Sequence, residues 1–133
     1  MNYQPLIFDE KQIIKLYQAN NWENYLKNKC YLYEGVKSSL DVIGAYDGDM
    51  LVGLIRTVGD GQTIVYIQDV LILPSYQRKG IGSTLLQMIV RKYQHVRQIL
   101  LTTGLEEKQK QFYEKNNFKS FEDLNLRGFY YKK

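Results

Sequence analysis

The run Asp69-Val70-Leu71-Ile72-Leu73-Pro74-Ser75-Tyr76-Gln77-Arg78-Lys79-Gly80-Ile81-Gly82-Ser83-Thr84-Leu85-Leu86 decides how the rest of the chain is read. Its start belongs to an apolar stretch, Thr63 to Leu73, with the composition of a strand covered on both faces and placed centrally in a sheet. Pro74 ends that strand by removing a ladder donor. From Ile81 onward the apolar positions Ile81, Leu85, Leu86, Ile89, Val90 and Tyr93 follow helical spacing. The turn between them therefore sits at a helix N-terminus, where unpaired N–H groups and the helix dipole favour an anion. Glycines at 80 and 82 allow close backbone approach or unusual dihedrals, and Arg78 and Lys79 add positive charge. The plain alternative is a tight strand-to-helix turn without a ligand. A P-loop is excluded because Gly82 is followed by Ser83 where lysine is required. The dinucleotide fingerprint fails because Leu85 stands at its third glycine.

Upstream, Asp9 is an N-cap candidate for a helix carrying Ile13, Ile14, Leu16 and Tyr17, which Asn20-Asn21 interrupts. A second amphipathic helix is expected from Trp22 to about Lys37, with Trp22, Leu26, Cys30 and Tyr33 near one face. Leu40–Tyr46 and Met50–Val58 read as strands joined through Asp47-Gly48-Asp49, and Gly59-Asp60-Gly61 turns into the long apolar strand. Downstream, Arg97–Thr103 reads as a strand parallel to it, Glu106–Asn116 as a helix and Gly128–Tyr131 as a closing strand. The expectation is one mixed α/β domain over 1–133, with a mostly antiparallel central sheet, one splayed parallel strand pair and about four flanking helices.

Composition narrows the function. With 133 residues, 44% of them hydrophobic, the chain can bury a core without disulfides or metal. The single cysteine, Cys30, cannot close an internal disulfide, and one histidine, His95, gives no zinc spacing, so no metal is expected. This usage fits a reducing cytoplasm. No signal peptide or membrane span is legible, so a soluble cytoplasmic protein without a membrane partner is expected. The formal charge of +4 fits an anionic ligand, but the basic residues are dispersed and argue against a nucleic-acid face.

The run from Asp69 to Leu86 resembles the signature of the GNAT N-acetyltransferases, a strand followed by Gln/Arg-x-x-Gly-x-Gly/Ala and a helix. Phe112-Tyr113-Glu114-Lys115-Asn116-Asn117-Phe118 resembles the family's Phe-Tyr-Glu-Lys-x-Gly-Phe, with Asn117 at the glycine position. Asparagine tolerates a left-handed helix cap, so this departure is mild. Gly48-Asp49-Met50-Leu51-Val52-Gly53 is similar to the family's hairpin before the central strand.

The resemblance implies acetyl-CoA as cosubstrate, without metal. It assigns the pantetheine arm to the backbone of Leu71, Ile72 and Leu73, and the pyrophosphate to Gln77, Arg78, Lys79, Gly80, Ile81, Gly82 and Ser83. An amide near 71–73 would then meet the carbonyl oxygen, and Phe112 could line the groove. It also implies Tyr113 as the acid for the leaving thiolate, since a phenol with a reference pKa of about 10 stays protonated at neutral pH. As core aromatic, Tyr113 would be one of twelve tyrosines.

For the base, Asp69 interrupts an apolar strand where a lone carboxylate is costly unless paired or functional. An arginine or backbone partner is its plain reading; Gln68, on the opposite face by alternation, and water are the other candidates. Many family members carry asparagine where this chain has Glu106, which reads as a first-turn acid. Trp22, Tyr25 and Arg56 are positional candidates for an acceptor pocket, with packing or a solvated strand position as the plain readings. The implied activity is direct acetyl transfer to a primary amine in a ternary complex, the acceptor being a small molecule or a protein amine, and a homodimer is one expected assembly. A CoA-binding module without catalysis is the alternative, and a nucleic-acid-binding protein a more distant one.

Overall fold

The long apolar run forms a strand, and its neighbours explain the rest of the architecture. In the structure, a computed structural model describing Met1–Lys133, five strands make one sheet: β1 (Asn2–Pro5), β2 (Asp41–Asp47), β3 (Met50–Gly59), β4 (Ile64–Ile72) and β5 (Gln98–Leu101). Their order across the sheet is β1-β2-β3-β4-β5. The first three junctions are antiparallel and the β4–β5 junction is parallel. The expected mixed sheet with one parallel pair is thus present, although β4 lies one strand in from the edge and not at the centre.

Two turns set the antiparallel register. Gly48, at φ 61°, closes the β2–β3 hairpin in a left-handed conformation. Beyond β3 the Asp60 carboxylate accepts from the backbone N–H groups of Gln62, Thr63 and Ile64 and from the Thr63 hydroxyl. Those donors hold the Asp60 acid well below the usual carboxylate range.

Helix α1 (Glu10–Ala19) starts where expected, with the Asp9 carboxylate accepting from the Lys11 and Gln12 amides. It buries Ile13, Leu16 and Tyr17 and packs on β3 and β4. The single helix expected over 22–37 is instead two, α2 (Glu23–Leu26) and α3 (Lys29–Lys37). Asn28 explains the break: its backbone is extended and its side chain accepts from the Tyr31 amide, so it begins a new helix. Cys30 consequently lies exposed, while Leu32 and Val36 supply the buried face. Helix α4 (Ile81–Lys92) lays Ile81, Leu85, Leu86 and Ile89 against β2, β3 and β4.

The chain groups into two units, Met1–Thr102 and Thr103–Lys133, where the sequence reading treats 1–133 as one domain. The second unit contains α5 (Glu107–Lys115) and a short 3-10 turn at Phe121–Leu124. The closing strand expected at 128–131 is absent, and Phe129, Tyr130 and Tyr131 are exposed. No helix is long and apolar enough to cross a membrane.

Candidate active site

Strand β4 is paired on both sides only along its first half. Parallel pairing with β5 runs from Ile64↔Gln98 to Ile67↔Leu101 and stops. At the same point the β3–β4 ladder jumps from Thr57↔Ile67 to Arg56↔Asp69, leaving Gln68 as the extra residue of a bulge. Beyond it, β4 keeps β3 on one side and has an open backbone edge on the other. The Leu73 amide donates to the Val52 carbonyl at 2.8 Å, so alternation turns the amides of Leu71 and Leu73 toward β3 and those of Val70 and Ile72 toward the open edge. The Gln77 side chain supports this assignment by donating to the Ile72 carbonyl at 3.2 Å. Of the three residues read from sequence, Leu71 and Leu73 spend their amides on the sheet, whereas Ile72 faces outward. Val70 was missed, and only the register reveals it.

The turn after β4 opens onto the start of α4. Pro74–Tyr76 form one 3-10 turn, Arg78 takes φ 63° and Gly80 takes φ 81°. The first amide to find a helical acceptor is that of Thr84, bonded to the Gly80 carbonyl at 3.0 Å. No side chain caps the helix, so the Ile81 and Gly82 amides lie ahead of its first internal bond. A Cβ built on Gly80 meets nothing within 4 Å, so that glycine serves its left-handed dihedral and not a tight contact. Gln77, Arg78 and Lys79 are exposed, neither basic residue pairs with a carboxylate, and the Lys79 ammonium sits 5.3 Å from the Tyr76 ring centroid. An uncapped helix start with two left-handed residues and two unpaired cations suits a pyrophosphate.

Asp69 is buried and fully engaged. Its Oδ2 accepts from Arg56 Nε at 2.7 Å and from the Tyr17 hydroxyl at 2.6 Å, and Oδ1 accepts from the Tyr25 hydroxyl at 3.2 Å. Arg56, read from sequence as a solvated strand residue or pocket lining, is only 6% exposed and also reaches Tyr25 and Ser39. Burial opposes the Arg56 charge, but the Asp69 carboxylate outweighs it and the guanidinium is held above its usual range. Burial, reinforced by Asp69, pushes the phenols of Tyr17 and Tyr25 up. The expected separation of Gln68 and Asp69 onto opposite faces does not occur. The bulge breaks alternation, and Gln68 Nε2 donates to the same Tyr25 hydroxyl at 2.8 Å. Trp22 stacks on Tyr25 with centroids 5.5 Å apart, and a cavity of about 390 Å³ is lined by Asn21, Trp22, Glu23, Asn24 and Tyr25.

Within the second unit, α5 ends as the sequence predicts. Asn117 takes φ 72°, its amide bonds the Glu114 carbonyl at 3.1 Å, and the Phe118 amide bonds the Tyr113 carbonyl at 3.0 Å. The Phe118 ring meets Tyr113 edge-on at 6.1 Å, and Phe112 does so at 5.0 Å, so the cap and two aromatic neighbours fix the Tyr113 ring. Burial pushes the Tyr113 phenol up. Glu106 lies exposed at the N-cap of α5 with an extended backbone and makes no side-chain cap bond; Glu107 supplies the first-turn acid.

Comparison with known proteins bears on the fold and the family. The model of the acetyltransferase (GNAT) domain matches residues 38–120. A GNAT-family acetyltransferase from Streptococcus pneumoniae is 34% identical, with a TM-score of 0.87 over 99% of this chain and 96% of that one. AAC(6')-Iy, solved with the bisubstrate analogue CoA-S-monomethyl-acetylneamine, shares the fold at 14% identity, with a TM-score of 0.70 over 99% of this chain and 97% of its own. A Gibberella zeae protein provisionally described as an acetyltransferase is 40% identical over 55 residues, which are 39% of this chain and 31% of that protein, so the match spans about a third of that relative. With a family model across most of its length and a full-length relative of this identity, the chain belongs to the GNAT acetyltransferase family.

Proposed function

We propose that the protein transfers an acetyl group from acetyl-CoA to a primary amine by direct attack. One observation carries this reading. The open edge of β4 leads without interruption into the uncapped start of α4, offering outward amides for an amide-bearing arm and then an anion site for a pyrophosphate. Acetyl-CoA supplies the activated acyl group. The outward amides of Val70 and Ile72 are the donors for the thioester carbonyl oxygen, where pre-positioned N–H groups act most strongly on developing charge. Tyr113, protonated at neutral pH, is the acid for the departing sulfur.

In this reading the ammonium loses its proton to water and not to Asp69. Asp69 is buried and its two oxygens already accept from three donors, one of them a guanidinium. The cavity at Asn21–Tyr25 is the entry for the amine: Tyr25 forms part of its lining and bonds Gln68 and Asp69 at the bulge.

The test is calorimetric titration of acetyl-CoA into the protein and into Gly82→Trp, which crowds the proposed pyrophosphate turn. We expect binding to the native protein, at least tenfold weaker in the variant as groups are kept from the helix amides. Thiol release with a panel of primary amines then reads the transfer. An absence of acetyl-CoA binding to the native protein would refute the proposal.

A further inference from the structure

The bulge at Gln68 is where the open edge begins, and a side-chain network grips both strands across it. Arg56 of β3 and Asp69 of β4 are direct register partners there, joined by the 2.7 Å ion pair. Tyr17 of α1 and Tyr25 of α2 close on the same carboxylate. Arg56 Nη1 donates to the Ser39 hydroxyl, which donates to the Gly35 carbonyl in α3 at 2.7 Å. Gln68 itself is tied to Tyr25. No buried side-chain polar atom in the protein lacks a partner, so this charged cluster is fully satisfied.

The alternative register shows what the network selects. If Gln68 entered the ladder after Thr57↔Ile67, Arg56 would face Gln68 and Asp69 would face Ile55, which is fully buried and apolar. The carboxylate would lose its guanidinium while buried, a costly arrangement. The same slip would rotate the amides beyond residue 68 by one position. Val70 and Ile72 would then turn toward β3, and Leu71 and Leu73 would face the open edge. Every outward donor would be exchanged for an inward one.

We infer that Arg56 and Asp69, with Tyr17 and Tyr25, form a positioning clamp that holds the Gln68 bulge and thereby selects Val70 and Ile72 as the amides presented along the open edge of β4. The clamp acts through the backbone and touches no reacting atom; its link to turnover rests on the acetyl-transfer reading above, whereas its link to register does not. Charge is used for specificity here, since a buried ion pair contributes little net stability over apolar residues of similar size.

The test compares the full-length protein with Arg56→Met/Asp69→Leu, which removes both charges together and strands neither, and with Tyr17→Phe/Tyr25→Phe, which leaves the ion pair but removes two of the three donors to Asp69. Amide hydrogen exchange is read residue by residue. In the native protein Leu71 and Leu73 should exchange at least a hundredfold more slowly than Val70 and Ile72. In the ion-pair variant that contrast should collapse or invert, and in the tyrosine variant it should shrink about tenfold. Where turnover is measurable, kcat should fall roughly a hundredfold in the ion-pair variant, as when a donor to the carbonyl oxygen is lost. Acetyl-CoA affinity should fall less than kcat does, because the turn at 78–83 is intact while the edge amides are exchanged. The native exchange contrast preserved in a folded ion-pair variant would overturn the clamp, and if that variant does not fold, an unchanged contrast in the tyrosine variant does so. A native protein that binds no acetyl-CoA defeats the transfer reading while the exchange pattern still decides the clamp.

Discussion

Tyr113 shows how much one side chain depends on its surroundings. Its ring is held between Phe112 and Phe118, and burial raises its phenol above the ordinary value of 10.0. It therefore stays protonated throughout the neutral range, as an acid for a thiolate must. Tyr113→Phe should lower kcat about 100-fold while leaving acetyl-CoA affinity within about twofold, since general-acid contributions are of this order and the ring is kept. In the native protein the alkaline limb assignable to this phenol should lie at higher pH than that of a free tyrosine, because burial raises it. A rate unchanged by the substitution, measured under saturating acetyl-CoA, would remove Tyr113 from the chemistry. The motif around Tyr113 was legible because its cap is local: Asn117 completes a turn begun at Tyr113. The partners of Asp69 were not legible, because Arg56, Tyr25 and Tyr17 lie 13, 44 and 52 positions away and only the folded sheet unites them.

At the level of elements, local chemistry predicted what local bonds decide. The Asp9 cap, the hairpin at Gly48 and the α4 start after Pro74 follow from adjacent residues, and all three are present. The turn at Gly59 is of this kind. It has φ 137°, and a Cβ there would lie 2.4 Å from the Ile64 carbonyl oxygen, a backbone atom that cannot move without opening the β3–β4 turn. Gly59→Ala should therefore destabilise the protein by about 3 kcal/mol or more, combining a disallowed dihedral with a backbone clash. Gly80→Ala meets open space and should cost about 1 kcal/mol, for its left-handed dihedral alone. Chemical denaturation of the two variants side by side checks the difference; equal midpoints would refute it. Expectations failed where neighbours could not decide. Asn28 offered its side chain to a new helix within a continuous amphipathic pattern, and Gly128–Tyr131 has strand composition but no ladder partner. The bulge at Gln68 left no local mark because it is a property of two strands and not of one.

Across the whole molecule, the distribution of tyrosines gives the fold a pH limit. Of twelve in the chain, Tyr17, Tyr25, Tyr33, Tyr93 and Tyr113 have phenols raised above 10.0 chiefly by burial, with the Asp69 carboxylate adding to the first two, Glu10 to Tyr33 and Asp41 to Tyr93. Tyr130 and Tyr131 at the C-terminus are exposed. Between the unfolded value of 10.0 and the higher folded values, the folded state holds more protons than the unfolded state. Their contribution to stability is therefore complete below pH 10 and falls as pH rises through the folded values. Tyr17 should resist longest, because it is fully buried and donates to a carboxylate that its own ionisation would repel. Phenolate absorbance should therefore rise in two stages, the second of them, from the buried group, at higher pH and together with loss of the folded circular dichroism signal. Tyr17→Phe should remove the largest single step from the second stage. A single transition near pH 10 with the fold intact would show that the Tyr17 to Asp69 bond does not govern alkaline stability, and that the network at the bulge is open to solvent.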